Sequence, residues 1–323
     1  MKKAFVVAVF ALCAVPVAGW SAPSPETDAH CPAPVTVPSP TELPHMLAIS
    51  KDRGFLWKIT KNGHSSWLYG TLHVGRRDWL LPGPTVRTTL LQSDTVALEL
   101  NMNDPETVRT LQRQEDPARM RHLIETGRKA KLDRFAALDC IPAERFAHMA
   151  VGLEAAGLTA VSARSDGYYP DYAVDAILTG MARGMKKPLV ALENASSQWA
   201  LLVGDSQADE DADIDDTLHG LETGRIRKDL LVIAGLWDSS NLEKLDHYRQ
   251  WCDCLNTPAE RRQMTAMLDG RNGPMAQKIA SLHESGHTLF VGVGSLHMIG
   301  EKGLPALLRQ QGFAVEQVLP KPA

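Results

Sequence analysis

Short apolar runs of strand type alternate along this chain with longer stretches of helical pattern. Strands are predicted in six runs rich in β-branched and aromatic residues: FLWKIT (55–60), SSWLYGTLH (65–73), TVALELN (95–101), KPLVALE (187–193), HTLFVGVGSLH (287–297) and FAVEQVLP (313–320). Such alternation predicts an α/β fold with a central mixed sheet. The stretches 104–180 and 197–286 are nearly all helical in pattern, so we expect them to form a largely helical cap over the sheet.

Local signals place one turn and two helix starts. Asn62-Gly63 stands between two apolar runs and predicts a β-hairpin. Asp104 before a proline predicts the cap of a helix. Thr257 and Glu260 have the spacing of a capping box, which predicts a second helix start.

Two further segments are interpreted as a helix end and a loop. Gly157, after IPAERFAHMAVGLEAA, is expected to end a helix. The acidic run DSQADEDADIDD (205–216) lacks the central glycine and terminal glutamate of an EF-hand loop. We therefore interpret it as a solvated acidic loop.

The N-terminus has the pattern of an export signal. A basic MKK precedes the apolar AFVVAVFALCAVPVAG and the small residues of AGWSA, so residues 1–22 are predicted to be a signal peptide.

Residues 23–46 are proline-rich and are predicted to be a linker, followed by one domain over 47–323. We expect a periplasmic or secreted protein. An uncleaved membrane anchor is the less favoured alternative because the apolar run is short. No later segment has the pattern of a transmembrane span.

Charge and cysteine content narrow the function classes. The net charge is −4 with no long basic run, so nucleic acid is not an expected partner. Four cysteines remain after the predicted signal, and export makes disulfides the favoured state, with three full pairings open. A metal site built on CDC alone is less favoured. These cysteines are Cys31, Cys140, Cys252 and Cys254.

Two G-x-x-H motifs mark the candidate site. His73 and His297 each follow a strand-like run, three residues after Gly70 and Gly294. Functional groups of α/β sheets gather just past the carboxyl ends of strands. Glycine lets the backbone bend or approach closely, so the following side chain can point into a cleft. One such histidine is more often structural, but the pair favours a cleft at the strand ends.

Two carboxylates occupy similar places. Glu99 lies inside VALELN and Glu193 ends LVALE. Since charged residues are rarely buried without a partner, each either pairs with an arginine, caps a helix, or converges with the histidines. Two imidazoles with carboxylates suit Mn, Fe, Co or Zn, and they also suit metal-free acid–base chemistry.

The ordered series YGTLHVG, VALELN, PDYAVDAIL, KKPLVALENASSQ, DGRN and FVGVGSLHMIGEKGLPALLRQQGFAVEQV resembles the TraB/GumN family, which includes the Tiki-type metalloproteases. The resemblance covers most of the chain, from about Phe55 to Val318. The family is also thought to be distantly related to erythromycin-esterase-like hydrolases, which use a histidine, a glutamate and an arginine around the cleft.

The resemblance implies a hydrolytic site. Its motif histidines correspond to His73 and His297, its acidic residue to Glu99, and its arginine to Arg271, with Asn272 beside it. The histidines and the glutamate would hold a divalent metal ion (Mn, Co or Zn). Without metal, the histidines would act as a base and an orienting partner. The glutamate would be a ligand or the base that activates water. The arginine would neutralise a developing oxyanion or, alternatively, form a structural ion pair.

The family's middle motif adds four supporting residues. Asp171 and Asp175 lie one turn apart on a predicted helix and are expected to share a face, as a contact of the cap or as part of the site. Gln198 would orient substrate or cap backbone groups. Glu193 belongs to the same motif.

The expected function is an exported, metal-dependent and peptidase-like hydrolase acting on a peptide or a small molecule. One alternative is a binding protein that keeps the cleft without turnover. Another is a metal-free, esterase-type hydrolase that uses His73 and Glu99. The Tiki-type proteins are membrane-anchored, whereas this chain is predicted to be soluble and has its own WCDCLNTPAERR insert, so peptidase activity rests on analogy.

Overall fold

The computed structural model describes residues 31–320 and has a mixed sheet at its centre. The strands are β1 (Phe55–Lys61), β2 (His64–Thr71), β3 (Thr95–Leu98), β4 (Leu189–Ala191), β5 (Leu289–Gly294) and β6 (Ala314–Leu319). They are ordered β4-β3-β5-β2-β1-β6. The four strands β4, β3, β5 and β2 run parallel, while β1 is antiparallel to both β2 and β6. The predicted α/β class and all six predicted strands are confirmed. The predicted signal peptide, residues 1–22, lies outside the described residues.

Helices account for most of the remaining described chain. They are α1 (Leu43–Ile49), α2 (Pro84–Gln92), α3 (Pro105–Leu111), α4 (Pro117–Glu125), α5 (Arg128–Leu138), α6 (Val151–Val161), α7 (Val174–Gly184), α8 (Ala195–Val203), α9 (Gln207–Glu222), α10 (Arg225–Asp238), α11 (Leu242–Asp246), α12 (Tyr248–Trp251), α13 (Pro258–Met264), α14 (Gly270–Glu284) and α15 (Leu304–Gln310), with a π-helical turn at Thr265–Asp269. Between residues 31 and 320, no helix combines the length and apolar character needed to span a bilayer.

Most of the helices fall into two groups by what they pack against. Helices α2, α7, α10, α14 and α15 contribute buried apolar side chains to the core around the sheet. Helices α3 to α6, α8 and α9 pack mainly on one another and bury separate apolar clusters. The second group is the helical layer that the long helical stretches predict.

The hairpin between β1 and β2 follows directly from two residues. Lys61 pairs with His64, so Asn62 and Gly63 alone form the turn. Their φ angles are 53° and 81°, a region that asparagine and glycine tolerate better than other residues. The predicted hairpin is confirmed.

Predicted caps also appear in the structure. The Asp104 side chain accepts hydrogen bonds from the backbone N–H groups of Glu106 and Thr107 at the start of α3. Thr257 and Glu260 form the reciprocal capping box of α13, with hydrogen bonds of 3.1 and 2.7 Å. Each cap satisfies backbone donors that a helix start leaves without an intrahelical partner.

The proline-rich segment before α1 contacts the domain. A disulfide joins Cys31 to Cys140, and the Tyr169 hydroxyl donates to the carbonyl of Ala33 at 2.8 Å. A second disulfide joins Cys252 to Cys254. The predicted disulfides are therefore present, with one pairing selected from the three that the sequence leaves open.

Two expectations about segments of the helical layer are wrong. Gly157 lies inside α6 instead of ending it, because a Cβ there would stand 2.8 Å from the Phe146 ring and the close packing requires glycine. The acidic run is not a loop, since its residues form most of α9. Ile214 and Leu218 are buried along one side of α9, so apolar burial at helical spacing outweighs the acidic composition.

Helix α9 also buries a carboxyl group that should make stability depend on pH. Glu210 is fully buried, and burial together with the neighbouring Glu115 raises its pKa from 4.5 to about 8, although Arg119 opposes the shift. The folded chain thus keeps a proton that the unfolded chain releases near 4.5. This contribution to stability is complete below about pH 4.5 and should be lost as pH rises through about 8.

Urea unfolding at several pH values between these limits measures the effect. Glu210→Gln should flatten the decline of the free energy of unfolding with pH. Glu222→Gln, an exposed position on the same helix, serves as the control and should keep the wild-type slope. An unchanged slope in Glu210→Gln would contradict the assignment.

Candidate active site

The carboxyl ends of four parallel strands meet at one edge of the sheet. The segments that follow β2, β3, β4 and β5 carry His73, Glu99, Glu193 and His297. Strand β5 pairs with β2 on one side and with β3 on the other. The topology therefore brings the two G-x-x-H motifs and the two carboxylates to the same edge, as the strand-end argument predicts.

Gly294 marks the point where three of these side chains converge. Its backbone N–H donates to Glu99 Oε1 at 2.8 Å. A Cβ at this position would lie 3.3 Å from Glu99 Oε1, 3.5 Å from the His297 ring and 3.7 Å from His73 Nε2. Glycine thus leaves the space between a carboxylate and two imidazoles open.

His297 is held as a neutral ring. The Asn272 amide nitrogen donates to the carbonyl of Lys302 at 2.8 Å, so its oxygen faces Nδ1 of His297 at 2.6 Å. Nδ1 therefore carries the proton and Nε2 keeps its lone pair. Burial and the nearby charge of Arg271 lower the pKa of His297 to about 3.

His73 has a different electrostatic environment. Its Nδ1 donates to Asp175 Oδ2 at 3.0 Å, and its Nε2 lies 3.9 Å from Glu99 Oε1. Burial favours the neutral ring, but the negative charges of Asp175 and Glu99 outweigh it and raise the pKa of His73. The two site histidines are therefore unlike, one neutral and one more basic than usual.

Arg271 binds both carboxylates. Its Nη2 lies 2.5 Å from Glu99 Oε2 and also binds Glu193, while its Nε donates to Glu193 Oε1 at 2.8 Å. Its Nη1 donates to the carbonyl of Met267 at 3.1 Å, and Gln198 donates to Glu193 Oε2 at 2.9 Å. The structure therefore contains the ion-pair alternative for Arg271, with both carboxylates as partners.

Glu99 connects the arginine network to the histidines. Burial opposes its ionisation, but the positive charge of Arg271 and the hydrogen bond from the Gly294 N–H outweigh burial and lower its pKa. One oxygen of Glu99 binds the guanidinium, and the other faces His73 and the Gly294 backbone. The group is thus an ionised carboxylate with one oxygen directed at the convergence point.

Gly70 packs closely against Ser295 and Trp237. A Cβ at Gly70 would meet Ser295 Oγ at 2.9 Å, and the Gly70 carbonyl accepts from the Trp237 indole at 2.8 Å. Ser295 in turn donates to the carbonyl of Thr71 at 2.9 Å, which ties the second G-x-x-H motif to the end of β2. Ser295 was not predicted from the sequence, although its place inside GSLH is a usable signal.

Asp171 and Asp175 do not share a helix face, contrary to expectation. Asp175 is in the first turn of α7, whereas Asp171 is exposed in the preceding turn Pro170–Tyr172. The backbone is extended at Ala173, and the Val174 N–H donates to the carbonyl of Leu72 at 2.8 Å. This bond separates the two acids, so only Asp175 reaches His73.

The site contains donor types that divalent metal ions accept, two imidazoles and a carboxylate. Nδ1 of each histidine is bonded to Asp175 or Asn272, which directs each Nε2 away from that partner, as in many metal-ligating histidines. Two ligands on one ion are about 3–4 Å apart for bonds of about 2.1 Å, and His73 Nε2 is 3.9 Å from Glu99 Oε1. Within residues 31–320, no three His, Cys, Asp or Glu side chains are already positioned to hold one ion. Binding by His73, Glu99 and His297 therefore requires these side chains to shift.

The sheet, its helical layer and the buried histidine, glutamate and arginine cluster define an α/β protein with a site at the ends of its parallel strands. The sequence model of the TraB/PrgY/gumN family matches residues 55–317, and the chain belongs to this family. No curated protein and no solved structure gives a significant match.

Proposed function

We propose that this protein is a hydrolase acting on peptide-like bonds, with a divalent metal ion held by His73, Glu99 and His297. The observation that carries the proposal is the convergence of these three side chains on the space beside Gly294. When bound there, a Mn, Co or Zn ion would supply Lewis acidity that lowers the pKa of water toward neutrality. Family membership is consistent with this chemistry.

The surrounding residues hold these groups in position. Asp175 and Asn272 fix the two imidazoles through Nδ1, and fixed orientation is what a preorganised site requires. Arg271 brings a permanent positive charge beside Glu99, where it can neutralise negative charge that develops on the substrate carbonyl. Glu193 and Gln198 hold the guanidinium from its other side.

We further propose that the protein acts after export, in the periplasm or outside the cell. The support is the signal-like pattern of residues 1–22 together with the two disulfides. Disulfides persist in oxidising compartments.

A metal-free hydrolase is the second candidate, and the unequal histidines favour it. The Asp175 carboxylate on Nδ1 raises the pKa of His73, and a carboxylate-oriented imidazole can act as a general base toward water. His297 stays neutral. In this alternative His73 Nε2 accepts the proton of water.

Metal analysis of the purified protein separates the two candidates. Wild type, His73→Ala and His297→Ala would be loaded with Mn, Co or Zn, desalted, and analysed for metal and for hydrolysis of a peptide library. His247→Ala, at an exposed histidine bonded to the carbonyl of Glu243, is the matched control. We expect about one ion per chain in wild type and in the control, and loss of metal and hydrolysis in the two site variants.

Other outcomes overturn the first candidate. Hydrolysis that persists under chelation and depends on His73 would establish the metal-free mechanism. Metal retained equally in all variants would place the ion elsewhere. Peptide binding without any product, in the metal-loaded wild type, would identify a binding protein.

A further inference from the structure

An acidic cleft lies beside the candidate active site. It has a volume of about 660 Å³ and lies between α8, α9, α13 and the π-helical turn. Acidic residues outnumber basic residues along its described lining. The charged residues are Asp205, Asp209, Asp213, Asp216 and Glu260 against Arg262.

Helix-start electrostatics explain part of this acidity. Asp209 and Glu260 lie in the first turns of α9 and α13, where a helix favours negative charge. Glu260 also uses Oε2 in the capping box with Thr257. These roles leave the acidity of the remaining wall, and one oxygen of Glu260, unexplained.

Glu260 points to a missing partner. Its side chain is 4% exposed, yet its Oε1 has no hydrogen-bond partner among the described residues. A buried carboxylate oxygen without a donor loses its hydration without replacement, which is unfavourable unless a ligand supplies a donor. Since Glu260 lines the cleft, a donor that enters the cleft can satisfy it.

Asp213, on α9, also points to a missing partner in the cleft. Its Oδ1 accepts from the Gln263 amide at 3.1 Å, a neutral donor that does not balance a negative charge. Burial and the nearby Asp209 raise the pKa of Asp213 to about 6. A positive charge in the cleft would oppose this upward shift of the pKa and favour the ionised form.

The cleft borders the site through two residues. Ser197 and Met267 line it, and Gln198, next to Ser197, donates to Glu193. The Met267 carbonyl accepts a hydrogen bond from Arg271. A substrate whose reacting bond lies at the site can therefore extend a neighbouring side chain into the cleft.

We propose that this cleft is a specificity subsite that binds the cationic side chain, lysine or arginine, of a peptide substrate. The bound peptide is a substrate only if the proposed hydrolase function holds, and the inference rests on that function to this extent. The binding itself does not require turnover. The acids are spread over the segment before α9, α9 itself and α13. A metal ion needs several oxygens within about 2.6 Å of one point, whereas an ammonium or guanidinium group can bridge separated acceptors.

Calorimetric titration of a turnover-silent protein tests the subsite. His73→Ala would be titrated with alanine-based hexapeptides, capped at both ends, in which a single lysine is moved through each position. Matched peptides carry norleucine in place of lysine, and free butylammonium and spermidine form further arms. We expect lysine at one position to tighten binding by about tenfold or more over norleucine, as for a charged hydrogen bond.

Variants in the same background assign the effect to the cleft. Asp205→Asn with Asp213→Asn should remove the lysine preference. Asp215→Asn, on α9 with Asp213 but paired with Arg128, should retain it and controls for the loss of a negative charge outside the cleft. Free amines that bind as tightly as the best peptide would overturn the peptide subsite and assign the cleft to small amines.

Three further results would overturn the proposal. The first is the absence of a lysine preference at every position, and the second is a preference that survives in the double variant. The third is an equal loss in Asp215→Asn. None of these results depends on hydrolysis, so the subsite can fail while the hydrolase proposal stands, and the reverse also holds.

Discussion

Replacing Arg271 with methionine is expected to lower the free energy of unfolding by about 3–5 kcal/mol. Arg271 is 8% exposed, and its guanidinium binds Glu99 and Glu193, both also largely buried. Methionine keeps much of the apolar stem but removes the cation that both carboxylates bind. Two buried negative charges then face each other without compensation. Urea unfolding near neutral pH, followed by circular dichroism, measures the loss.

Arg227→Met is the control for this prediction. Arg227 binds Asp166 at the surface, with about half of its side chain exposed, so its loss should change the free energy of unfolding by less than about 1 kcal/mol. Similar losses for the two variants would mean that the Arg271 network does not stabilise the fold. Arg271→Lys should recover only part of the stability, because an ammonium cannot reproduce the fork that binds two carboxylates.

Glu99→Gln is expected to lower kcat/KM for peptide hydrolysis by a factor of about 10²–10⁴. The amide keeps the size of the side chain but cannot supply the negative charge that faces His73 Nε2 at 3.9 Å. Steady-state rates on the peptides identified by the library screen measure the change, with metal content determined in parallel.

Glu193→Gln is the matched control for Glu99→Gln. Glu99 and Glu193 both bind Arg271, so each substitution neutralises one of the two carboxylates that bind the guanidinium. The structure places Glu99, and not Glu193, in hydrogen-bond contact with Gly294 at the convergence point. A smaller loss is therefore expected in Glu193→Gln. Equal losses would show that Glu99 acts only by holding Arg271.

The fold was predictable where local signals and tertiary packing agree. All six strands were identified because apolar runs rich in β-branched residues stand between clear turn signals, and Asn62-Gly63 fixes the hairpin. The acidic helix α9 was missed because composition alone favours a solvated loop. Its helical spacing of Ile214 and Leu218 becomes decisive only when neighbouring helices provide a surface to bury them.

Apart from Asp171, the candidate site was predictable as a set of residues, but its hydrogen-bond network was not. Strand-end placement brought His73, Glu99 and His297 together, as the sequence indicates. The partner of each group depends on side chains from distant helices, so the sequence left the pairing of Arg271 open. The bond between His73 and Asp175 could not be derived either, because it depends on where α7 begins.

The order of the strands in the sheet differs from their order in the chain, and this affects how the protein is made. Strand β5 begins at Leu289 yet lies between β2 and β3, so it joins two pairs of strands that were synthesised much earlier. Until β5 emerges, β1–β2 and β3–β4 have no shared neighbour, and Gly294 and His297 do not yet exist. Such long-range pairing is expected to slow folding. It also means that a chain lacking β5 carries no assembled site, so any activity begins only after β5 and His297 have been synthesised.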